Sequence, residues 1–312
     1  MVAGRDSPRS YREFVEMFPD AAACAAYLER LRWPGGFTCP ACKGTTAAAW
    51  RQTRGRLVCP VCRHHACVTA GTILDKTRTP LTTWFEAAWH VTTAKNGLSA
   101  KTLERTLGTR YRVAWAMLQR YRVAMVRAER SPLSGNVEVD ETLVGGVEHG
   151  GKRGRGTSRS VVVIAVEVLH PKGFGRVRMR HVPDASGASL LPFVCDVVAP
   201  ASTVCTDGWG GYNDLPKHGY THQKTVLSSS DDPAHVVMPA VHRVASLLKR
   251  WILGTHQGAV TPDHLQSYLE EFTFRFNRRT SSSRGLVFRR LLEQAVVTGP
   301  VTEDDVTDGY DW

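Results

Sequence analysis

No stretch of the 312-residue chain is apolar for long enough to span a membrane as a helix. Such a span needs roughly 18 consecutive apolar residues, and the best run, Val161 to Val168, already contains Glu167. A membrane span is excluded and no membrane partner is expected. The opening residues, Met1-Val2-Ala3-Gly4-Arg5-Asp6-Ser7, lack the apolar core of a secretory leader, so a reducing cytoplasm is the expected compartment. The eight cysteines are therefore expected as thiols or metal ligands rather than disulfides. Internal repeats are also missing. Acid is scarce in one region only: residues 1 to 130 hold 9 Asp+Glu against 21 Lys+Arg, a net of +12, whereas residues 131 to 312 hold 20 against 19, a net of −1. The whole excess of the formal +11 lies in the first part, the asymmetry expected where a chain meets a phosphate polyanion; a merely solvated basic surface is the alternative. The remainder is ordinary. With 42% hydrophobic and 22% charged residues, the composition is that of a globular chain of about two domains.

Four cysteines stand in two knuckles, Cys39-Pro40-Ala41-Cys42 and Cys59-Pro60-Val61-Cys62, with 16 residues between them. Each knuckle can turn two thiolates toward one ion, and a loop of that length folds back to close a tetrahedral Cys₄ zinc ribbon. A single Cys-x-x-Cys leaves a redox pair open; the spaced duplicate favours structural Zn²⁺. The other cysteines, Cys24, Cys67, Cys195 and Cys205, are expected as small buried hydrophobes.

Helical spacing of Phe14, Met17, Phe18, Tyr27, Leu28 and Leu31 predicts one or two helices over Tyr11 to Leu31, packed on the ribbon. Beyond the ribbon, helices are expected from Pro80 through His90, from a Ser99 cap to Leu107, and from Tyr111 to about Arg127. Gly108 separates the last two. This pattern, with Arg110, Arg112, Arg120 and Arg122 on the third helix, resembles a helix-turn-helix that presents those arginines to DNA; a plain helical connector is the alternative. The break Ser131-Pro132-Leu133-Ser134-Gly135 marks a domain boundary. Strands are expected at 137–142, 161–168, 177–182 and 202–207, with a helix over 186–198, giving an α/β fold built on a mixed sheet. A Gly-rich basic stretch at 145–156 and a Ser- and Asp-rich loop at 228–232 interrupt the pattern. Helices follow over 241–253 and 262–276, and residues 299–312 read as an acidic disordered tail.

Asp140 and Asp207 fall at strand ends, where a carboxylate is disfavoured unless it has a role, although a lone Asp is more often a turn or cap residue. Two-metal phosphoryl transfer uses such carboxylates with hard ions, Mg²⁺ or Mn²⁺. Val139-Asp140-Glu141-Thr142, Val144-Gly145-Gly146, Gly154-Arg155-Gly156-Thr157 and Thr206-Asp207-Gly208-Trp209-Gly210-Gly211-Tyr212 resemble the ISXO-two-like DDE transposases of bacterial insertion sequences. The later blocks Ser246-Leu247-Leu248-Lys249-Arg250 and Glu271-Phe272 through Phe276-Asn277-Arg278-Arg279 agree.

The resemblance spans nearly the whole chain and implies an RNase H-like catalytic domain that binds two metal ions, cuts transposon ends and joins the freed 3′-hydroxyl to target DNA. It assigns Asp140 and Asp207 as the first two ligands. The family's third acid is replaced here: Val241-His242 stands where Val-Glu precedes Ser-Leu-Leu-Lys, so either the imidazole of His242, better tolerated by Mn²⁺ than by Mg²⁺, is the expected third ligand, or that ligand lies elsewhere, or activity is lost. Lys249 is expected to face DNA phosphate. The expected organisation is a helical segment at 1–35, the ribbon at 36–70, a helix-turn-helix-like region at 71–130, the catalytic domain at 131–298 and the tail at 299–312. The implied partners are the terminal repeats, target DNA and further copies of the chain on paired ends, with the protein at the nucleoid when bound. The competing class is a DNA-binding protein whose transposase domain has lost its chemistry, with His242 as the trace of that loss.

Overall fold

Ser10 and Asp20 each accept a backbone N–H three residues ahead, from Glu13 and Ala23, and so open α1 (Tyr11–Met17) and α2 (Ala21–Arg32). The computed structural model describes residues 6–46, 50–51, 55–127, 129–145, 159–171, 173–225, 237–308 and 310. The basic stretch beyond Gly145 and the loop at 228–232 lie outside them. Two compact units emerge, one of Met1–Arg127 with Thr280–Asp311, the other of Ala128–Arg279.

In the first unit, the ribbon pairs β1 (Phe37–Thr38) with β2 (Thr45–Thr46), and β3 (Trp50–Arg51) with β4 (Leu57–Val58) and β5 (His65–Ala66), all antiparallel. Three helices follow: α3 (Leu81–Thr93), α4 (Ala100–Leu107) and α5 (Tyr111–Ala124). Ser99 caps α4 as its sequence position predicts, and Gly108, at φ 60°, ends it in the left-handed conformation that glycine adopts without steric cost. The chain returns late to this unit through α9 (Arg284–Ala295) and α10 (Glu303–Thr307). Phe288 of α9 is buried among Phe14, Phe18, Tyr27, Phe85 and Trp89, with ring centroids 5.7 to 6.5 Å away. The first two helices thus pack mainly on α3 and α9. Their tie to the ribbon side is Arg32, which donates to the carbonyls of Cys67, Val68 and Ala70.

In the second unit, β6 (Asn136–Val144), β7 (Ser160–Val168) and β8 (Phe174–Val182) form an antiparallel meander. After α6 (Gly187–Val197), β9 (Thr203–Asp207) pairs parallel to β6, and β10 (Thr221–Thr225) parallel to β9. The order β10-β9-β6-β7-β8 is the five-stranded RNase H-like arrangement. The inner strand β7 is buried from Val161 to Glu167, as its near-continuous Val-rich run requires. Val137 and Val139 face a core with α6, while Val162, Ile164 and Val166 face another core with α7 (Pro239–His256) and α8 (Pro262–Phe276), where Phe272 and Phe276 pack as expected.

Three expectations need correction. The tail read as disordered contains α10, fastened by buried Val301 and Val306 and by a reciprocal Thr302–Asp305 capping box. The catalytic segment expected to reach residue 298 ends at Arg279 in the second unit, because α9 spends its apolar face on the aromatic cluster of the first. The edge strand β10 was unforeseen, since Thr-His-Gln-Lys-Thr has no apolar alternation to betray it. Among the remaining cysteines only Cys24 is buried, with its thiol pushed up to about 12 by that burial; Cys67 and Cys195 are exposed and Cys205 is half-buried.

Candidate functional site

The two cysteine knuckles have one geometry. In each, the residue after the second Cys, Lys43 or Arg63, takes a left-handed φ of 59° or 62° and returns its N–H to the carbonyl of the first Cys. The first Cys in turn donates its N–H to the carbonyl of Gly44 or His64. This winding turns the thiols inward: Sγ of Cys39 is 3.6 Å from that of Cys62, Sγ of Cys42 is 3.7 Å from that of Cys59, and all four lie within 4.8 Å of one another. Such spacings match the edges of a tetrahedron with Zn–S bonds of about 2.3 Å. The backbone N–H of Cys42, helped by that of Ala41, lowers the Cys39 thiol to about 6, and the N–H of Cys62 lowers Cys59, while at Cys62 the His64 N–H is outweighed by burial and the neighbouring sulfurs, which raise that thiol to about 11.

In the second unit, strand alternation sorts the acids of β6. Glu138 and Asp140 share the side of the sheet that α7 covers, while Glu141 points to the opposite side, where the buried Tyr212 donates to its Oε2 at 3.0 Å. Asp140 accepts the N–H of Glu141 at 2.9 Å, and its Oδ2 lies 3.8 Å from Nδ1 of His242, in the first turns of α7. Asp207 ends β9, two residues past Cys205, the last position in register with β6 (at Glu138). Its Oδ1 accepts the N–H of Trp209 at 3.0 Å, which fixes the turn that follows the strand. The parallel register, continued two residues past Glu138 and Cys205, sets Asp140 level with Asp207; against expectation only Asp207 ends its strand, since β6 runs on past Asp140 to Val144 in its pairing with β7. Among the described residues, however, the four cysteines are the one group of three or more potential ligands gathered within 4.8 Å; Asp140, Asp207 and His242 are not drawn that closely together.

Lys249 lies two turns beyond His242 on α7. Partial burial lowers its ammonium pKa and neighbouring Arg159 adds to that, while Asp140 acts in the opposite direction. Glu138, which the sequence reading passed over, is buried and accepts the N–H of Val241 at 2.9 Å, supplying the side-chain cap that α7 otherwise lacks. Burial raises its pKa, against the effect of the Val241 and Ala240 N–H groups. Its signal was legible in the alternation Val137-Glu138-Val139-Asp140, which puts two acids on one face.

The arginines expected on DNA separate. Arg110 and Arg112 are exposed on the N-terminal end of α5, and Arg120 is half-buried one face along. Arg122 is 1% exposed. It cannot meet DNA from that position, because the heptad-like apolar face of α5 carries it into the core with Tyr121 and Leu118.

Comparison with known proteins follows the same division. Residues 132–277 match the ISXO2-like transposase domain and residues 19–65 the transposase zinc-ribbon domain. An uncharacterized protein in transposable element ISH50 of Halobacterium salinarum is 28% identical over 282 residues, covering 84% of this chain and 92% of that one. An uncharacterized transposase-like protein of Haemophilus influenzae is 25% identical over 116 residues, covering 37% of this chain and 93% of that one. Among solved structures, the catalytic core domain of BIV integrase covers 49% of this chain and 89% of its own, at 16% identity and a TM-score of 0.33.

Proposed function

For a chain that belongs to the ISXO2-like transposases with an N-terminal zinc ribbon, we propose that it binds the terminal repeats of its own element, cuts the DNA there with two divalent metal ions and joins the freed 3′-hydroxyl to target DNA. The observation that carries this reading is the approach of α7 to β6, with Asp140 Oδ2 3.8 Å from His242 Nδ1 and Asp207 level with Asp140 on the adjacent parallel strand. The donor set, two carboxylates and an imidazole, fits Mn²⁺, and less readily Mg²⁺. No Asp or Glu occurs anywhere in Pro239–His256, so His242 is the group that this stretch of helix offers in place of an acid. Bound there, such ions activate an attacking oxygen and stabilise charge on the leaving one.

The chain's own residues divide the remaining work. Asp140, Asp207 and His242 hold the metal ions, and Lys249 neutralises a phosphate beside the cleavage point. Arg110, Arg112 and Arg120 hold the DNA against the helix-turn-helix. Cys39, Cys42, Cys59 and Cys62 hold one structural Zn²⁺ that fixes the ribbon. Further copies of the chain assemble on paired ends, at the nucleoid in the cytoplasm.

The test uses purified protein and DNA bearing the inverted repeats that flank its gene. Nicking at the repeat borders that depends on Mn²⁺ or Mg²⁺, and is lost in Asp140→Asn and Asp207→Asn while end binding persists, is the expected result. End binding with no cutting by the parent protein in either metal would instead support a DNA-binding protein with an inactive catalytic domain.

A further inference from the structure

Residues 301–308 contain four acids and no Lys or Arg, yet they belong to the unit whose N-terminal part holds the chain's excess positive charge. The contact between them is specific. Glu303 accepts from Arg112 Nε at 3.0 Å and Nη2 at 2.7 Å through a single oxygen, and its other oxygen is 3.9 Å from Arg120 Nη2. Arg120 also donates from Nε to the Val301 carbonyl at 3.1 Å. These groups border a cavity of about 410 Å³ at the N-terminal half of α5, where Lys76, Arg78, Arg110, Arg112 and Arg120 outnumber Asp75 and Glu303. The N-terminal half of the second helix is the part of a helix-turn-helix that approaches DNA. A carboxylate here stands where an anionic oxygen of a phosphodiester would be held.

We propose that Lys76, Arg78, Arg110, Arg112 and Arg120 form a cradle for backbone phosphates of duplex DNA, and that Glu303 occupies one phosphate position until DNA displaces it. This rests on the reading of the first unit as DNA-binding. The arrangement is suited to exchange. Buried Val301 and Val306 and the Thr302–Asp305 capping box keep the segment docked, so Glu303 is presented at a fixed place. Its pairing with Arg112, by contrast, is solvent-exposed on both sides, with 76% of the arginine and 47% of the glutamate side chain accessible. Exposed ion pairs contribute little net stability. A duplex offering several phosphates, each contact releasing counterions, displaces such a carboxylate by a side-chain rotation, with α10 left in place. Free protein therefore carries a cradle in which one phosphate position is already filled by its own carboxylate.

The test is fluorescence anisotropy of the full-length protein with a labelled duplex of its flanking inverted repeat across a salt series. Glu303→Gln keeps the capping box and the buried valines but gives up the charge; it should tighten binding roughly two- to fivefold at low salt and steepen the salt dependence by about one released counterion. Arg112→Ala should weaken binding, and in that background Glu303→Gln should lose most of its effect. Asp308→Asn removes the same charge from an exposed acid at the end of α10 and should leave affinity at the parent value. If Glu303→Gln binds as the parent does, or if Asp308→Asn tightens binding equally, the occlusion is overturned while DNA binding by the unit stands. If neither parent nor variants bind the duplex, the DNA-binding reading fails and takes the occlusion with it.

Discussion

Glu138 in β6 accepts the backbone N–H of Val241 at 2.9 Å, and so fastens the first turn of α7 to the strand that carries Asp140 two residues on. The next residue of the helix is His242. One buried carboxylate therefore sets the height at which the imidazole meets the aspartate, a separation of 3.8 Å.

Replacing Glu138 with Ala leaves the N–H groups at the start of α7 without their acceptor in a buried setting, a change that costs about 1–3 kcal/mol. Glu138→Gln retains an oxygen that can accept and should recover much of that loss. Denaturant unfolding of the three proteins measures it. Equal midpoints for Ala and parent would mean that the first turn of α7 is held by its packing alone.

The ribbon has a small core of Phe37, Leu57 and Ala66 around buried Cys39 and Cys59, too little to hold five two-residue strands without a further constraint. Elemental analysis should give one zinc per chain. Cys39→Ser with Cys59→Ser should abolish it and expose the segment 37–66 to protease, while α3 to α5 stay folded on one another, with Trp84 of α3 packed edge-on against Tyr121 of α5. A stoichiometry that remains near one in the double variant would place the zinc elsewhere.

Phe288 tests the late return of the chain to the first unit. It is fully buried among five aromatic rings, and such Phe→Ala truncations cost about 3–5 kcal/mol. The expected outcome of Phe288→Ala is a marked fall in thermal stability with protease cuts appearing between α1 and α3. Loss confined to residues 280–308 would show that α9 leans on the unit without supporting it.

What the sequence revealed and what it hid follow from the type of signal. The ribbon, the helices α3 to α5 and the strands β6 to β9 were legible because cysteine spacing, the Ser99 and Gly108 boundary signals and runs of Val are local. Phe288 gave no such cue, since an aromatic residue at helical spacing says that it is buried and nothing about the partner, which lies more than 190 residues away. Arg122 misled for a related reason. Its neighbours Arg110, Arg112 and Arg120 are accessible at least in part, and only the helical phase of α5 shows that position 122 turns inward. Asp140 and Asp207 could be found as acids in strands, but their adjacency depends on β9 joining β6 in parallel, which no local pattern states.

Glu167 supplies a pH signature in the second unit. Burial pushes its carboxyl up, but the Arg176 guanidinium, with the N–H groups of Arg176 and Ser134, outweighs that and holds it below the usual glutamate range. A depressed value in the folded state adds stability that is present above the ordinary glutamate pKa and is lost as pH falls through the folded one. The unfolding free energy of the parent should therefore exceed that of Glu167→Gln at neutral pH, and the gap should close on acidification below about pH 4. A gap that is constant across this range would mean that the carboxylate and the amide are held equally well.

In the proposed metal site His242 is the residue on which the chemistry turns. There an imidazole in place of a carboxylate would remove one negative charge and one hard oxygen from the set that includes Asp140 and Asp207, which disfavours Mg²⁺ more than Mn²⁺. Strand cleavage by the parent should accordingly be faster in Mn²⁺. His242→Glu restores the oxygen and the charge and should shift preference toward Mg²⁺. His242→Ala should reduce cleavage by at least about tenfold, the scale of losing a group that orients or binds a catalytic metal, while its affinity for the DNA ends stays within a factor of two of the parent. The separation from binding is expected because the arginines proposed to hold DNA, Arg110, Arg112 and Arg120, lie at or in α5, in the other unit. Measured on one substrate in both metals, the three proteins give a pattern that a structural histidine cannot mimic: Ala would then act through stability, and Glu would change the rates in both metals together. Cleavage by His242→Ala at the parent rate would remove His242 from the metal site.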